Sequence, residues 1–336
     1  MCGDSGKLVI ACLVIMICSV QASAKTGGIT MAALVDLAKS DTAARFDFVR
    51  NNPSSGNVQR TVMSYQSDGL RQYALVLRPG GMAPAGGWPV VQFNHGFHPD
   101  PPKSGFVASG QSDRPGDYYR ALVQAYAKRG FVVVAPDYRG HNVSEGGAFT
   151  RRVLADAWYT RDAITAFLAI ESLDDVNLQR VYMTGHSMGG VVTQRALIAL
   201  GNRVQAASIW STAGGQYLPA MLLRELMVAD GADDISRYKS GFSDLRSELA
   251  QEGDDVRLEQ VTPAQFLRDL EVPLSIQHSA GDRTTFVTGS LSVAAALYQS
   301  NKTYQLKVYP AQEHLFAGED FEAAVERDVA WFNRFQ

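Results

Sequence analysis

The stretch Gly185-His186-Ser187-Met188-Gly189-Gly190 sets a serine hydroxyl among small residues, directly after the apolar run "VYMTG" and directly before the helical pattern "GGVVTQRALIAL". A serine hydroxyl is a poor nucleophile at neutral pH until a neighbouring base takes its proton and a third group fixes that base. Glycines at the flanking positions allow the sharp strand-to-helix turn that lifts Oγ clear, because a side chain there would clash with the opposing backbone. Two later loops offer the partners, in the order acid, then histidine. Asp282 ends "VPLSIQHSAGD" and His314 follows "YQLKVYPAQE", each directly after a strand-like segment. In this arrangement Ser187 is the nucleophile, His314 shuttles its proton to the leaving group, and Asp282 holds the imidazole in the correct tautomer.

The tetrahedral intermediate of such a reaction needs two backbone N–H donors. Met188, at the helix start where the macrodipole helps, is expected to supply one, and Phe97, in the loop His95-Gly96-Phe97, the other. His95 is expected to bond nearby backbone. Trp210, at the end of "VQAASIWST", either walls an acyl pocket with Phe97 and Met188 or belongs to the core. His98, His141, His186, His278 and Glu145 show no paired ligand spacing, so the histidines read as neutral loop residues, and neither metal nor cofactor is expected.

These residues need a scaffold, and the pattern supplies one. Residues 26–56 carry helical spacing through Met31, Leu34, Val35, Leu37, Ala38, Phe46, Phe48 and Val49 and end at the turn-rich "NNPSSGN", which predicts a helical extension over 25–57 packed on the domain surface. "VQRTVMSYQ" and "RQYALVLRP", joined at Ser67-Asp68-Gly69, predict a hairpin. From "VVQFNHG" onward apolar strands alternate with helices, the first of them capped by Asp117 and closed by Gly130. An antiparallel start followed by this alternation predicts an α/β fold with a doubly wound, mostly parallel sheet of about eight strands, and puts Ser187 at the carboxyl end of a central strand. Residues 216–268 interrupt the rhythm with helical, charged sequence. That insertion is expected to be a cap over or beside the site, its apolar face formed by Leu218, Met221, Leu222, Leu223, Leu226 and Met227.

The start of the chain differs in kind. Lys7 precedes the thirteen-residue run Leu8 to Val20, and Ala22-Ser23-Ala24 follows, a pattern that predicts a secretory signal over 1–24 cleaved before Lys25. The run is shorter than the roughly 20 residues of a spanning helix, so no stable membrane insertion is expected after cleavage. Val9-Ile10-Ala11-Cys12 resembles a lipobox, with little apolar sequence before Cys12. All three cysteines, Cys2, Cys12 and Cys18, lie in this leader, so the mature chain would hold neither disulfide nor thiolate chemistry. At 336 residues, 46% apolar, 19% charged and net charge −3, the chain reads as globular with no polyanion-binding surface, and nucleic acid is not an expected partner.

"NHG", "PDYRG", "GHSMGG", "SAGD" and "QEH" stand in an order and spacing that resemble the α/β-hydrolase superfamily across residues 58–336. "APDYRGHNVSEG" is similar to the loop after the fourth strand in the branch of dienelactone hydrolases and prolyl-oligopeptidase catalytic domains. The resemblance implies an α/β-hydrolase fold and a Ser187–His314–Asp282 triad. The several-hundred-residue propeller of the peptidases does not precede residue 58, and no Glu-Glu pair for a peptide amine is readable. The expectation is therefore a carboxylic ester hydrolase acting on a small-molecule ester, with a peptidase or amidase as the alternative. A noncatalytic binding relative would usually lack the serine or the histidine, and this chain keeps all three triad candidates.

Overall fold

The computed structural model describes residues 28–40, 43–97, 119–215, 235–253, 256–310 and 313–336. The expected leader, Asp117, His98 and the apolar face from Leu218 to Met227 lie outside these residues.

The hairpin forms as its turn chemistry dictates: β2 (Val58–Ser67) pairs antiparallel with β3 (Leu70–Arg78) about Asp68 and Gly69, both at positive φ. Beyond it come β4 (Trp88–Asn94), β5 (Val132–Pro136), β6 (Val176–His186), β7 (Ala207–Trp210), β8 (Leu274–Ser279) and β9 (Tyr304–Tyr309). Segments such as "VVVAP" and "ASIW" are buried along their whole length, as strands covered on both faces must be. A further strand, β1 (Asp47–Ser55), lies antiparallel to β2 at the sheet edge. The order is β1-β2-β3-β5-β4-β6-β7-β8-β9, parallel from β5 to β9. The chain leaves β4 toward β5 on one side and returns to β6 on the other, so β4 and β6 flank the switch point where open α/β sheets bind ligands.

One expectation needs correction here. The sheet has nine strands because 47–55, read as part of a helical extension, is β1. The helix that does form, α1 (Met31–Lys39), is capped by the Thr30 side chain and packs on the domain surface through one face, the other being exposed. Met31, Leu34 and Ala38 join the main core with Ile164, Val181 and Leu197, and the helix packs on α3 (Ala155–Ala169) and α4 (Met188–Leu200).

The opposite face of the sheet is covered by α2 (Arg120–Lys128) and the C-terminal helix Gly318–Phe332, through Tyr126, Phe131, Tyr182 and Phe332. Within 216–268, the helix Ile235–Glu252 is fastened to the start of α3: the Glu248 carboxylate accepts the Val153 and Leu154 N–H groups at 2.6 and 2.9 Å, and Glu252 pairs with Arg152 at 3.0 Å. The 3₁₀ segment Pro263–Asp269 packs on α4 and belongs to the main body. Among the described residues no helix is long and apolar enough to cross a membrane.

Candidate active site

Ser187 sits between the last residue of β6 and the first of α4. Its backbone takes φ 60° and ψ −124°, a region that a residue with a side chain holds only where its surroundings over-determine it. They do so here. The Ser187 N–H donates to the Trp210 carbonyl at 2.9 Å, and the Gly190 N–H donates to the Ser187 carbonyl at 3.0 Å. A Cβ on Gly185 would overlap the Gly189 carbonyl oxygen and Thr193 Oγ1, and one on Gly189 would overlap the Asn94 carbonyl oxygen. The turn therefore closes only with both glycines, as the sequence pattern requires. Gly96, in the loop after β4, passes so close that a Cβ there would be 3.0 Å from Ser187 Cβ. Met188 begins α4, and Phe97 follows Gly96 with its side chain 61% exposed.

Asp282 and His314 come together from the loops after β8 and β9. His314 Nδ1 lies 2.7 Å from Asp282 Oδ2. The opposite carboxylate oxygen accepts the N–H groups of Thr284 and Thr285 at 2.7 and 3.1 Å, and the Thr285 hydroxyl is 2.9 Å from Oδ2. His278 Nε2 approaches Oδ2 to 3.5 Å. Burial by itself would raise the Asp282 pKa, but hydrogen bonds from His278 and His314 outweigh it and hold the carboxyl well below the usual carboxylate range. Asp282 is thus an anion at neutral pH, oriented from both sides, and an anion so placed fixes an imidazole with its proton on Nδ1 and its lone pair on Nε2. The His314 ring lies 4.4 Å from the ring of His186, the neighbour of Ser187.

The remaining expected residues separate clearly. Trp210 is in the core: it is 1% exposed, its indole stacks on Phe316 at 5.1 Å, and its Nε1–H donates to the buried Asp328 at 2.8 Å. Its contribution to the serine turn is its carbonyl, and the acyl-pocket alternative is corrected. His95 Nδ1 faces the neighbouring Gly96 carbonyl at 2.8 Å, a local backbone contact. His141, packed against Tyr138 and Tyr159, is pushed by burial down to about 4 and is neutral. The Glu145 carboxylate accepts the Arg71 N–H at 2.7 Å. His278 lies within β8 and not in a loop, with Nδ1 at 2.7 Å from Ser290 Oγ. Among the described residues no three His, Cys, Asp or Glu side chains converge as a metal site would require.

Several supporting residues escape the sequence reading. Thr284 and Thr285 had a local signal, since an Asp followed two residues later by a free N–H closes an Asx turn. Tyr119 had none, since its hydroxyl meets His186 Nδ1, at 2.7 Å, only when α2 and β6 assemble. Arg139 of "PDYRG" is a third case. It is fully buried, bidentate to Asp162 at 2.7 and 2.9 Å, paired with Asp68 at 2.9 Å, and stacked by Phe149 and Trp158, so it anchors the loop that carries Tyr138 and His141.

A mostly parallel sheet with a strained serine after one central strand, and an acid and a histidine after the last two, is the α/β-hydrolase fold. The sequence profile of the prolyl oligopeptidase family matches residues 118–335. The chain belongs to that family and is a serine hydrolase. It is 24% identical over 284 residues to the uncharacterized peptidase YtmA of Bacillus subtilis (strain 168), covering 84% of this chain and 96% of that protein. It is 31% identical over 198 residues to a poly(3-hydroxyoctanoate) depolymerase of Pseudomonas fluorescens, covering 54% of this chain and 67% of that one. In structure it is similar to dipeptidyl peptidase 4 of Porphyromonas gingivalis, with a TM-score of 0.62 and 19% identity over 85% of this chain, and it spans 36% of that peptidase.

Proposed function

We propose that the protein is an exported carboxylic ester hydrolase that works through an acyl-Ser187 intermediate. The observation that carries this reading is the 2.7 Å Asp282–His314 pair, formed across the loops after the last two strands, with the His314 ring 4.4 Å from that of His186 beside the strained Ser187. Ser187 Oγ attacks the ester carbonyl carbon while His314 Nε2 takes the hydroxyl proton, and Asp282 stays ionised to stabilise the imidazolium. The backbone N–H groups of Met188 and Phe97 donate to the developing oxyanion. Collapse breaks the bond to the alkoxide, which leaves with the proton held on His314. Water, deprotonated by the same imidazole, then cleaves the acyl-serine and restores the enzyme.

Ester over amide is supported by the 31% identity to the depolymerase over 198 residues. The family and the near-complete coverage of the peptidase relative favour a second reading, hydrolysis of peptides or amides by the same residues, with His314 protonating a departing amine. Residues 1–24 are proposed to direct export and to be removed before Lys25, with lipid attachment at Cys12 as the alternative. The test is a panel of short- and long-chain p-nitrophenyl esters beside aminoacyl and peptidyl anilides. Ester hydrolysis is expected to give the higher kcat/KM throughout, and anilides turned over with kcat/KM above every ester would overturn the ester assignment.

A further inference from the structure

His186 lies inside the serine turn, yet the chemistry above does not use it. It is buried on every side, and both its ring nitrogens are engaged. Nε2 is 2.9 Å from the main-chain carbonyl of His314. A carbonyl can only accept, so Nε2 carries the proton. Burial, and then the neighbouring His314 imidazole, keep the His186 pKa well below the ordinary histidine value, so the ring is neutral and Nδ1 is an acceptor. The group facing Nδ1 is the Tyr119 hydroxyl, at 2.7 Å, which must donate. The Tyr119 oxygen in turn accepts the Gly96 N–H at 3.0 Å. Each bond in the series therefore has one allowed direction: Gly96 N–H to Tyr119, Tyr119 O–H to His186 Nδ1, His186 Nε2–H to the His314 carbonyl.

The series begins in the loop after β4 and ends in the loop after β9, and its middle member is covalently next to Ser187. Its geometry leaves little slack. A Cβ on Gly96 would fall 2.5 Å from the Tyr119 hydroxyl and 3.2 Å from the His186 carbonyl oxygen, so the loop rests directly on the tyrosine and the serine turn. The Tyr119 ring is itself held at 5.1 Å from Phe93 and 5.4 Å from His186. A neutral His186 also places no second positive charge against His314 when that ring is protonated.

We propose that Tyr119 and His186 are positioning residues whose one-way hydrogen-bond series sets the loop that carries Phe97 and the loop that carries His314 in register across Ser187. The inference rests on the serine-hydrolase reading of the site. Neither residue touches substrate. Losing a link shifts an oxyanion donor or the base by tenths of an ångström, which lowers kcat and leaves ground-state binding unchanged.

Three variants of the full-length chain separate the outcomes. Tyr119→Phe removes only the hydroxyl, His186→Leu removes both ring contacts, and His186→Gln keeps an amide N–H that reaches the Nε2 position. With p-nitrophenyl acetate, Tyr119→Phe and His186→Leu are expected to lose roughly 10- to 100-fold in kcat with KM within about twofold, a fraction of what removal of an oxyanion donor costs. His186→Gln is expected to recover at least about tenfold over His186→Leu at matched thermal stability. Imidazole nitrogen-15 shifts of the wild type are expected to show His186 as the neutral Nε2–H tautomer from pH 5 to 9. A wild type labelled by a fluorophosphonate, with folded Tyr119→Phe and His186→Leu labelled and turning over within twofold of it, overturns the positioning role alone. Absence of labelling in the wild type overturns the underlying reading, and a protonated or Nδ1–H His186 overturns the series itself.

Discussion

Asp282→Asn isolates the charge of the acid from its shape. Asparagine can keep its oxygen on the Thr284 and Thr285 N–H groups, which now bond Oδ1 at 2.7 and 3.1 Å, and its NH2 group then faces His314 Nδ1. That N–H must donate to Nδ1, which forces the His314 proton onto Nε2, where it cannot take the proton of Ser187. Flipping the amide restores the useful tautomer but sets an NH2 group against two backbone donors, at a cost of about 2–3 kcal/mol. The imidazolium formed in the transition state also loses a carboxylate partner, worth about 3 kcal/mol at an effective dielectric near 20. Together these amount to about 5–6 kcal/mol, or roughly a 10,000-fold fall in kcat. The assay is kcat on p-nitrophenyl acetate at pH 7.5, with circular dichroism to confirm the fold. A folded Asp282→Asn variant within tenfold of wild-type kcat would refute the role assigned to the carboxylate.

Gly189→Ala forces a methyl into the Asn94 carbonyl, so the variant should lose at least about 1–3 kcal/mol of stability together with activity, read by urea denaturation and ester turnover. The buried Asp328 accepts from Tyr126, Trp210 and Gln277, and burial pushes its pKa up to about 6. A folded-state value raised above the ordinary 3.8 gives stability that is complete below pH 4 and lost as pH rises through 6. Wild type should therefore lose up to about 3 kcal/mol relative to Asp328→Asn between pH 4 and pH 7.5, measured by paired denaturation curves. Mass spectrometry of exported protein should find Lys25 as the first residue, and an intact Met1 would reject cleavage.

Most of the candidate site was legible because its parts carry local signals. Glycines around Ser187 report a turn that admits no Cβ, Asp282 follows a short buried strand, and His314 follows the short half-buried strand after it. What was not legible depends on contacts distant in sequence. Trp210 ends a four-residue strand buried on both faces, so alternation could not tell core from pocket, and the carboxylate that fixes it is 118 residues away. β1 is an edge strand with almost every side chain exposed, Phe48 included at 64%, so it lacks the period-two signal that would have set it apart from the helix before it. Tyr119 and His186 meet only because β4, β6 and α2 converge at the switch point of the sheet.

The most direct test of the central claim is fluorophosphonate labelling of the full-length protein followed by peptide mapping. The account predicts one adduct, on Ser187, and in Ser187→Ala no adduct and no ester turnover although the fold is kept. An adduct on another residue, or a Ser187→Ala variant that labels or turns over ester at the wild-type rate, would contradict it.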